Sequence, residues 1–384
     1  MSDHGSALPL RGGAAVRFAA TLTAVLAVAA CARGNKNTDS TATAGDTAAM
    51  AVPAMARTAN DSAPMAKADS DMQAVLDQLA ALHGKPIETL TAVEARKQPT
   101  PTDAVKALLV KRGKPTSPPP GVTTVDRMIP GAAGPIKARV YTPTAGTKPF
   151  PVIVYYHGGG FVIATIDTYD GGARALSMMA KAVVLSVEYR KAPENKFPAA
   201  HDDAFAAYKW AMMHASEIGG DSSRMALAGE SAGGNLAMAT AMAVRDAKLP
   251  LPKYILAVYP VAQPDTETES YKENAAAKPL NRPMMEWFFK QYGRTPADGM
   301  DPRIDLVGAN LQGLPPVMII NAQIDPLRTD GELLESKLKA AGVTVERKVY
   351  PGVTHEFFGM GAVVAKAKDA ESTGASALAD ALSK

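Results

Sequence analysis

The chain has 384 residues, 47% of them hydrophobic and 21% charged, with a formal net charge of +3. That composition suits a globular protein with an ample core, and the lack of Lys/Arg runs and of aromatic–basic interleaving argues against a nucleic-acid partner. A single cysteine, Cys31, excludes an intrachain disulfide.

Residues 18–30 (FAATLTAVLAVAA) form an apolar run preceded by Arg11 and Arg17. The run is short for a membrane span and fits the apolar region of an export signal. It ends at VAAC, residues 28–31, which resembles the lipobox of bacterial lipoproteins. The resemblance implies a lipoprotein-type signal peptide over residues 1–30, lipid attachment at Cys31, and an exported protein anchored to a cell-envelope membrane. The alternative is a plain secretory signal and a secreted or periplasmic protein. Residues 31–70 are rich in Ala, Thr, Asp, Met and Pro without apolar period, which predicts a flexible tether.

In residues 71–84, Met72, Val75, Leu76, Leu79 and Leu82 recur at helical spacing, with Gly84 at the expected stop. Thr91 and Glu94 form a capping-box pattern opening a second helix, and residues 101–110 predict a third. Residues 115–121 (PTSPPPG) then break the helical pattern, so 71–115 reads as a set of N-terminal cap helices. From residue 116 onward, strand-like stretches at 122–129, 136–141, 152–156, 183–188, 224–228, 255–259, 317–321 and 344–349 are spaced by helical ones at 172–181, 200–214, 235–245 and 329–341. This alternation predicts an α/β domain with a mainly parallel, eight-stranded sheet covered by helices on both faces. Sites in such sheets form at the carboxyl ends of strands. Residues 263–300 interrupt the alternation with a run rich in aromatics, 284–292, which predicts a cap insertion; the alternative is that Trp287, Phe288 and Phe289 belong to the core.

Chemistry concentrates at strand ends. Gly229-Glu230-Ser231-Ala232-Gly233 lies between a strand and a helix, the context of a nucleophile elbow. His157-Gly158-Gly159-Gly160-Phe161 follows the strand at 152–156, Asp325 follows that at 317–321, and His355 follows that at 344–349. A serine hydroxyl needs a neighbouring base, which an imidazole supplies near neutral pH, and an acid on the other ring nitrogen fixes the tautomer. The chain order Ser, Asp, His is that of α/β-hydrolases. Of the six histidines, His201 and His214 are assigned to a surface helix, and His157 to the glycine loop. Asp330 reads as an N-terminal capping residue, and Asp202 and Asp203 as capping or solvated charges. The triple glycine lacks the Gly-Lys-Ser/Thr of a phosphate-binding loop, and no His/Cys cluster has metal-ligand spacing.

The motifs HGGGF (157–161), YRKAPENKFPAAHDD (189–203), GESAGGNLA (229–237), DPLRTDG (325–331) and GVTHEFFGM (352–360) together resemble the hormone-sensitive-lipase family of α/β-hydrolase esterases, the bacterial family IV type. The segment at 77–96 resembles that family's N-terminal cap. The sequence departs from the family with Lys191 where Leu is usual, Glu230 where Asp is common, and Glu356 where Gly is common. The resemblance implies an α/β-hydrolase fold with a helical cap and a cofactor-independent serine carboxylesterase acting on short-to-medium acyl esters. It implies Ser231, Asp325 and His355 as catalytic residues and the N–H groups of Gly159, Gly160 and Ala232 as the oxyanion hole. His157, Gly158 and Glu230 become supports of the loops. Hydrolysis of amides, lactones or acetylated sugars by the same residues is an alternative, as is a non-catalytic small-ligand receptor.

Overall fold

The structure, a computed structural model, describes residues 65–383. The signal segment 1–30, Cys31 and most of the tether 31–70 lie outside the described residues. The described chain opens with α1 (Ser70–Ala81), a 3-10 turn (Ile87–Thr89), α2 (Ala92–Ala95) and α3 (Pro101–Lys111). Thr91 and Thr100 each accept an N–H from the third residue of the helix they precede, and Glu94 and Asp103 reach back to close capping boxes. Met72 and Val75 of α1 and Ala104 and Leu108 of α3 are buried in one apolar cluster.

The sheet begins with β1 (Val122–Gly131), β2 (Gly134–Pro143) and β3 (Phe150–Tyr156), continuing through α4 (Asp170–Ala180) to β4 (Val183–Val187). Next come α5 (Ala199–His214), β5 (Gly220–Glu230), α6 (Ala232–Asp246), β6 (Ile255–Val258), α7 (Glu269–Glu273) and α8 (Arg282–Tyr292). β7 (Val317–Ile324), α9 (Arg328–Ala340), β8 (Val345–Thr354) and α10 (Ala365–Leu382) complete the order. The eight strands lie in the order β1-β2-β4-β3-β5-β6-β7-β8. β2 runs antiparallel to both its neighbours, and the pairs from β4 to β8 are all parallel.

Side chains alternate between faces, so a strand covered on both sides must be apolar throughout. In β3, Val152, Val154 and Tyr156 enter one core, with residues of α5 and α6, while Ile153 and Tyr155 enter the other, with residues of α4 and α10. Val317 and Ile319 of β7 divide from Met318 and Ile320 in the same way. Each such buried aliphatic side chain contributes about 1.5–3 kcal/mol.

The closing helix α10 went unassigned because its sequence is dominated by Ala, Lys, Ser and Asp. Its buried stripe is Ala367, Ala370, Gly374, Leu378 and Leu382, too small in side-chain volume to register as an apolar face. On α8 of the insertion, Trp287 and Phe288 are buried in the same apolar cluster as residues of α5 and α6, as the alternative reading held. The Trp287 indole N–H donates to the Leu90 carbonyl, 3.2 Å away, joining the insertion to the N-terminal helices.

Because β3 and β5–β8 are parallel, the residues following them meet at one edge. His157 follows β3, Ser231 follows β5, Asp325 follows β7 and His355 follows β8.

Candidate active site

Ser231 occupies the turn between β5 and α6 with φ 56° and ψ −118°, a conformation L-residues avoid. The turn closes tightly enough that a Cβ on Gly233 would lie 1.9 Å from the Tyr156 carbonyl oxygen. Any larger residue there would push helix and strand apart. The Ser231 N–H donates to the Val258 carbonyl at 2.9 Å. Its hydroxyl caps no N–H of the helix it begins, and so faces His355.

The imidazole of His355 lies with Nε2 3.0 Å from Ser231 Oγ and Nδ1 2.7 Å from Asp325 Oδ2. With the proton on Nδ1 donated to Asp325, Nε2 is left as an acceptor for the serine hydroxyl. Burial would by itself lower the pKa of His355, but the adjacent Asp325 carboxylate outweighs it, and the pKa lies above the ordinary imidazole value. The other oxygen of Asp325 accepts the Leu327 N–H at 2.8 Å. Below this loop, Ser270 of α7 donates its hydroxyl to the Pro326 carbonyl and accepts the Thr329 N–H. Asn274 donates to the Asp325 carbonyl at 3.4 Å.

The glycine loop borders the same space. Gly159 and Gly160 have φ of 93° and 59°. Their N–H groups meet no acceptor among the described residues, and Ala232 is the first residue of α6, whose N–H has no partner within the helix. Gly160 packs beneath the Phe288 ring of α8 and Gly158 beneath the Tyr169 hydroxyl. His157 is fully buried, stacked on Tyr189 with ring centroids 4.3 Å apart, and donates Nδ1–H to the Gly158 carbonyl. Burial lowers its pKa to about 4, so it stays neutral, and no hydrogen bond joins it to Ser231. Glu230 is fully buried and accepts hydroxyls from Tyr155 and Tyr259; burial raises its pKa to about 8. No hydrogen bond joins it to Ser231, Asp325 or His355. The Tyr259 ring instead packs 4.4 Å from the imidazole of His355, so Glu230 reaches the histidine through a tyrosine.

Three polar residues stand elsewhere than expected. His201 is not on a surface: it is buried, with Nδ1 2.7 Å from the Tyr292 hydroxyl and Nε2 2.9 Å from Asn235 Oδ1. Asp203 is buried and paired with Arg190, and it also accepts the Ala132 N–H. Asp330 does not cap its own helix, which begins after Leu327 with no side-chain cap. Its buried carboxyl accepts the Ala262 N–H at 3.0 Å and the Gln263 amide at 2.8 Å. All three are held by partners distant in sequence, which residue type and local pattern do not disclose. Tyr169 and Tyr259 likewise carry no signal in the sequence, since nothing local distinguishes them from other core aromatics.

Ser231 and His355 open onto a cavity of about 750 Å³. Its wall takes Leu76 and Leu79 from α1, Met284, Met285 and Phe288 from α8, and Gly159 and Gly160 from the loop. Polar groups on the wall include Lys191, Tyr169 and Glu356. Among the described residues no group of three or more His, Cys, Asp or Glu side chains is placed to hold a metal ion.

A family model described as the alpha/beta hydrolase fold matches residues 153–359. The chain is 41% identical over 255 residues to carboxylesterase NlhH of Mycobacterium tuberculosis, covering 64% of this chain and 79% of that protein. It is 36% identical over 220 residues to an ethyl acetate hydrolase of Pseudomonas putida, covering 56% and 69%. Among solved structures, an esterase of Pyrobaculum calidifontis superposes with a TM-score of 0.71 at 36% identity, over 79% of this chain and 97% of that one. A thermostable esterase of Pseudomonas putida gives 0.74 at 32% identity, over 82% and 98%.

Proposed function

The chain belongs to the α/β-hydrolase family, and from that premise we propose that it is a serine carboxylic-ester hydrolase. The observation that carries the mechanism is the continuous line from Ser231 Oγ through the imidazole of His355 to Asp325, at 3.0 Å and 2.7 Å. Ser231 attacks the ester carbonyl as His355 Nε2 takes its proton. The new C–O bond drives charge onto the carbonyl oxygen, which the N–H groups of Gly159, Gly160 and Ala232 receive. The tetrahedral adduct collapses with cleavage of the ester C–O bond, and His355 returns the proton to the departing alcohol. Water then attacks the acyl-serine with the same histidine as base, releasing the acid and restoring Ser231. Asp325 holds the ring and stabilises the imidazolium without taking its proton.

The apolar cavity of about 750 Å³ supports short-to-medium acyl groups as substrates. Its cover comes from the N-terminal helices and the 263–300 insertion, which act as the cap. Ser231→Ala is expected to lower kcat on p-nitrophenyl butyrate by about 10⁴–10⁶-fold, and retention of most activity would refute the mechanism. For localisation, the VAAC segment at 28–31 supports lipid attachment at Cys31 and anchoring to a bacterial envelope membrane. Mass analysis of the detergent-extracted protein tests this: an unmodified mature chain would leave the plain secretory signal and a secreted or periplasmic protein.

A further inference from the structure

Glu356 directly follows His355 and holds φ 68°, the left-handed region in which a side chain of its size is strained. Such strain persists only where the surroundings fix it, and here the Tyr169 hydroxyl donates to Glu356 Oε1 at 2.5 Å. Tyr169 lies 187 positions away and packs over Gly158, so this bond ties the histidine loop to the glycine loop. The turn sets the Glu356 side chain on the wall of the cavity shared by Ser231 and His355. Its second oxygen, Oε2, accepts no hydrogen bond among the described residues, and the residue lines the cavity. No lysine or arginine among the described residues pairs with it. Burial raises the pKa of this carboxyl, against the opposing pull of His355 and the Tyr169 hydroxyl.

A carboxyl with one oxygen bound to Tyr169 and the other without a partner, on the wall of the cavity that holds Ser231 and His355, is costly to leave so. We propose that Glu356 is a specificity-determining residue that accepts a hydrogen bond from a hydroxyl or ammonium group of the substrate close to its scissile ester. The preferred substrates are then hydroxy or amino esters rather than simple alkyl esters of equal length. A purely apolar wall would serve alkyl esters equally well, and glycine would satisfy the same backbone angle without strain. This inference rests on the ester-hydrolase reading and names the substrate class of the same site.

The test compares kcat/KM for p-nitrophenyl butyrate, 3-hydroxybutyrate and 4-aminobutyrate, with propyl and 2-hydroxyethyl butyrate as the alcohol-side pair. At least one donor-bearing ester should be favoured by roughly tenfold or more over its alkyl counterpart, the scale of one hydrogen bond to a carboxyl group. In Glu356→Ala that ratio should fall to about one by the same argument. Glu356→Gln keeps a carbonyl acceptor and should restore preference for the hydroxyl but not for the ammonium group. An unchanged ratio in Glu356→Ala, or no donor preference in the wild-type protein, would overturn the proposal while leaving the hydrolase reading intact. Absence of any Ser231-dependent turnover of the plain butyrate would instead defeat both. Should Glu356→Ala fail to fold, the wild-type ratios and Glu356→Gln still decide it.

Discussion

A methyl carbon placed on Gly160 would lie 2.2 Å from the Phe288 ring. The glycine loop and the insertion helix are therefore fitted to each other with no room for the smallest side chain. Gly160→Ala adds this collision to the cost of a positive φ in a residue with a Cβ, about 1–2 kcal/mol. The loop must shift, and the Gly159 and Gly160 N–H groups proposed as oxyanion donors shift with it. The expected result is a fall in kcat of about 10²–10³-fold, the cost of one misplaced oxyanion donor. Adding Phe288→Ala to the same chain removes the collision but not the backbone strain, so activity should recover in part. Equal activity of the single and double variants would show that the contact does not position the loop.

A second prediction concerns pH. Catalysis needs His355 neutral, so kcat/KM rises as pH climbs through its pKa. Burial depresses that pKa and Asp325 more than restores it, which places the midpoint of the rising limb above the unperturbed value of about 6.5. In Asp325→Asn the main counter-charge is gone, and only Glu356 and Asp330 still oppose burial. The limb should then move to lower pH while kcat falls by about 10⁴-fold through loss of the correct tautomer. A limb that stays in place in this variant would remove Asp325 as the source of the shift.

Much of this site was legible in the sequence because its parts are encoded locally. The parallel strands are apolar on both faces, as in Val183–Val187, and stand out from their neighbours. Gly229 is demanded by a backbone contact within one strand–turn–helix unit, where a Cβ would lie 2.1 Å from the Gly233 carbonyl oxygen, so its pattern survives as a short string. What escaped was held by distant partners. His201 meets Asn235 and Tyr292, and Asp330 meets Gln263, across separations of 34 to 91 positions. A histidine or aspartate on a helix has the same local sequence whether it faces water or a buried amide. Helix α10 escaped for another reason: a Cβ on Gly374 would stand 2.8 Å from Leu256, so close packing there selects small residues that leave no apolar signal.

Glu230 yields a third prediction, on stability. Burial raises its folded-state pKa to about 8 from an ordinary value near 4.5. Its contribution is thus complete below pH 4.5 and is lost as pH rises toward about 8, where the carboxyl must ionise between two phenols. Glu230→Gln keeps the shape and has no charge to bury. Its stability relative to wild type should therefore improve between pH 5 and pH 8 by on the order of 3 kcal/mol, at about 1.4 kcal/mol per pK unit. Denaturant melts at the two pH values measure the difference, and a constant offset would mean that Glu230 does not titrate in this window.

The last prediction turns on His201, which joins three parts of the site. Asn235 lies four residues beyond Ser231 on the nucleophile helix, and Tyr292 ends the insertion helix. The Tyr292 ring in turn stacks on Phe161 of the glycine loop, with centroids 4.1 Å apart. His201→Ala leaves the Tyr292 hydroxyl and the Asn235 carbonyl oxygen without their buried partner, at about 1–3 kcal/mol for each unsatisfied group. The pH dependence separates this from simple loss of packing. Burial lowers the folded-state pKa of His201 to about 4, below its ordinary value of 6.5, so the native state resists its protonation. The wild-type protein therefore loses stability as pH falls from 6.5 toward 4, whereas the variant has no imidazole there to charge. The stability gap between the two should be widest near pH 8 and narrow by pH 5. A gap of constant size would indicate that His201 contributes through its volume alone.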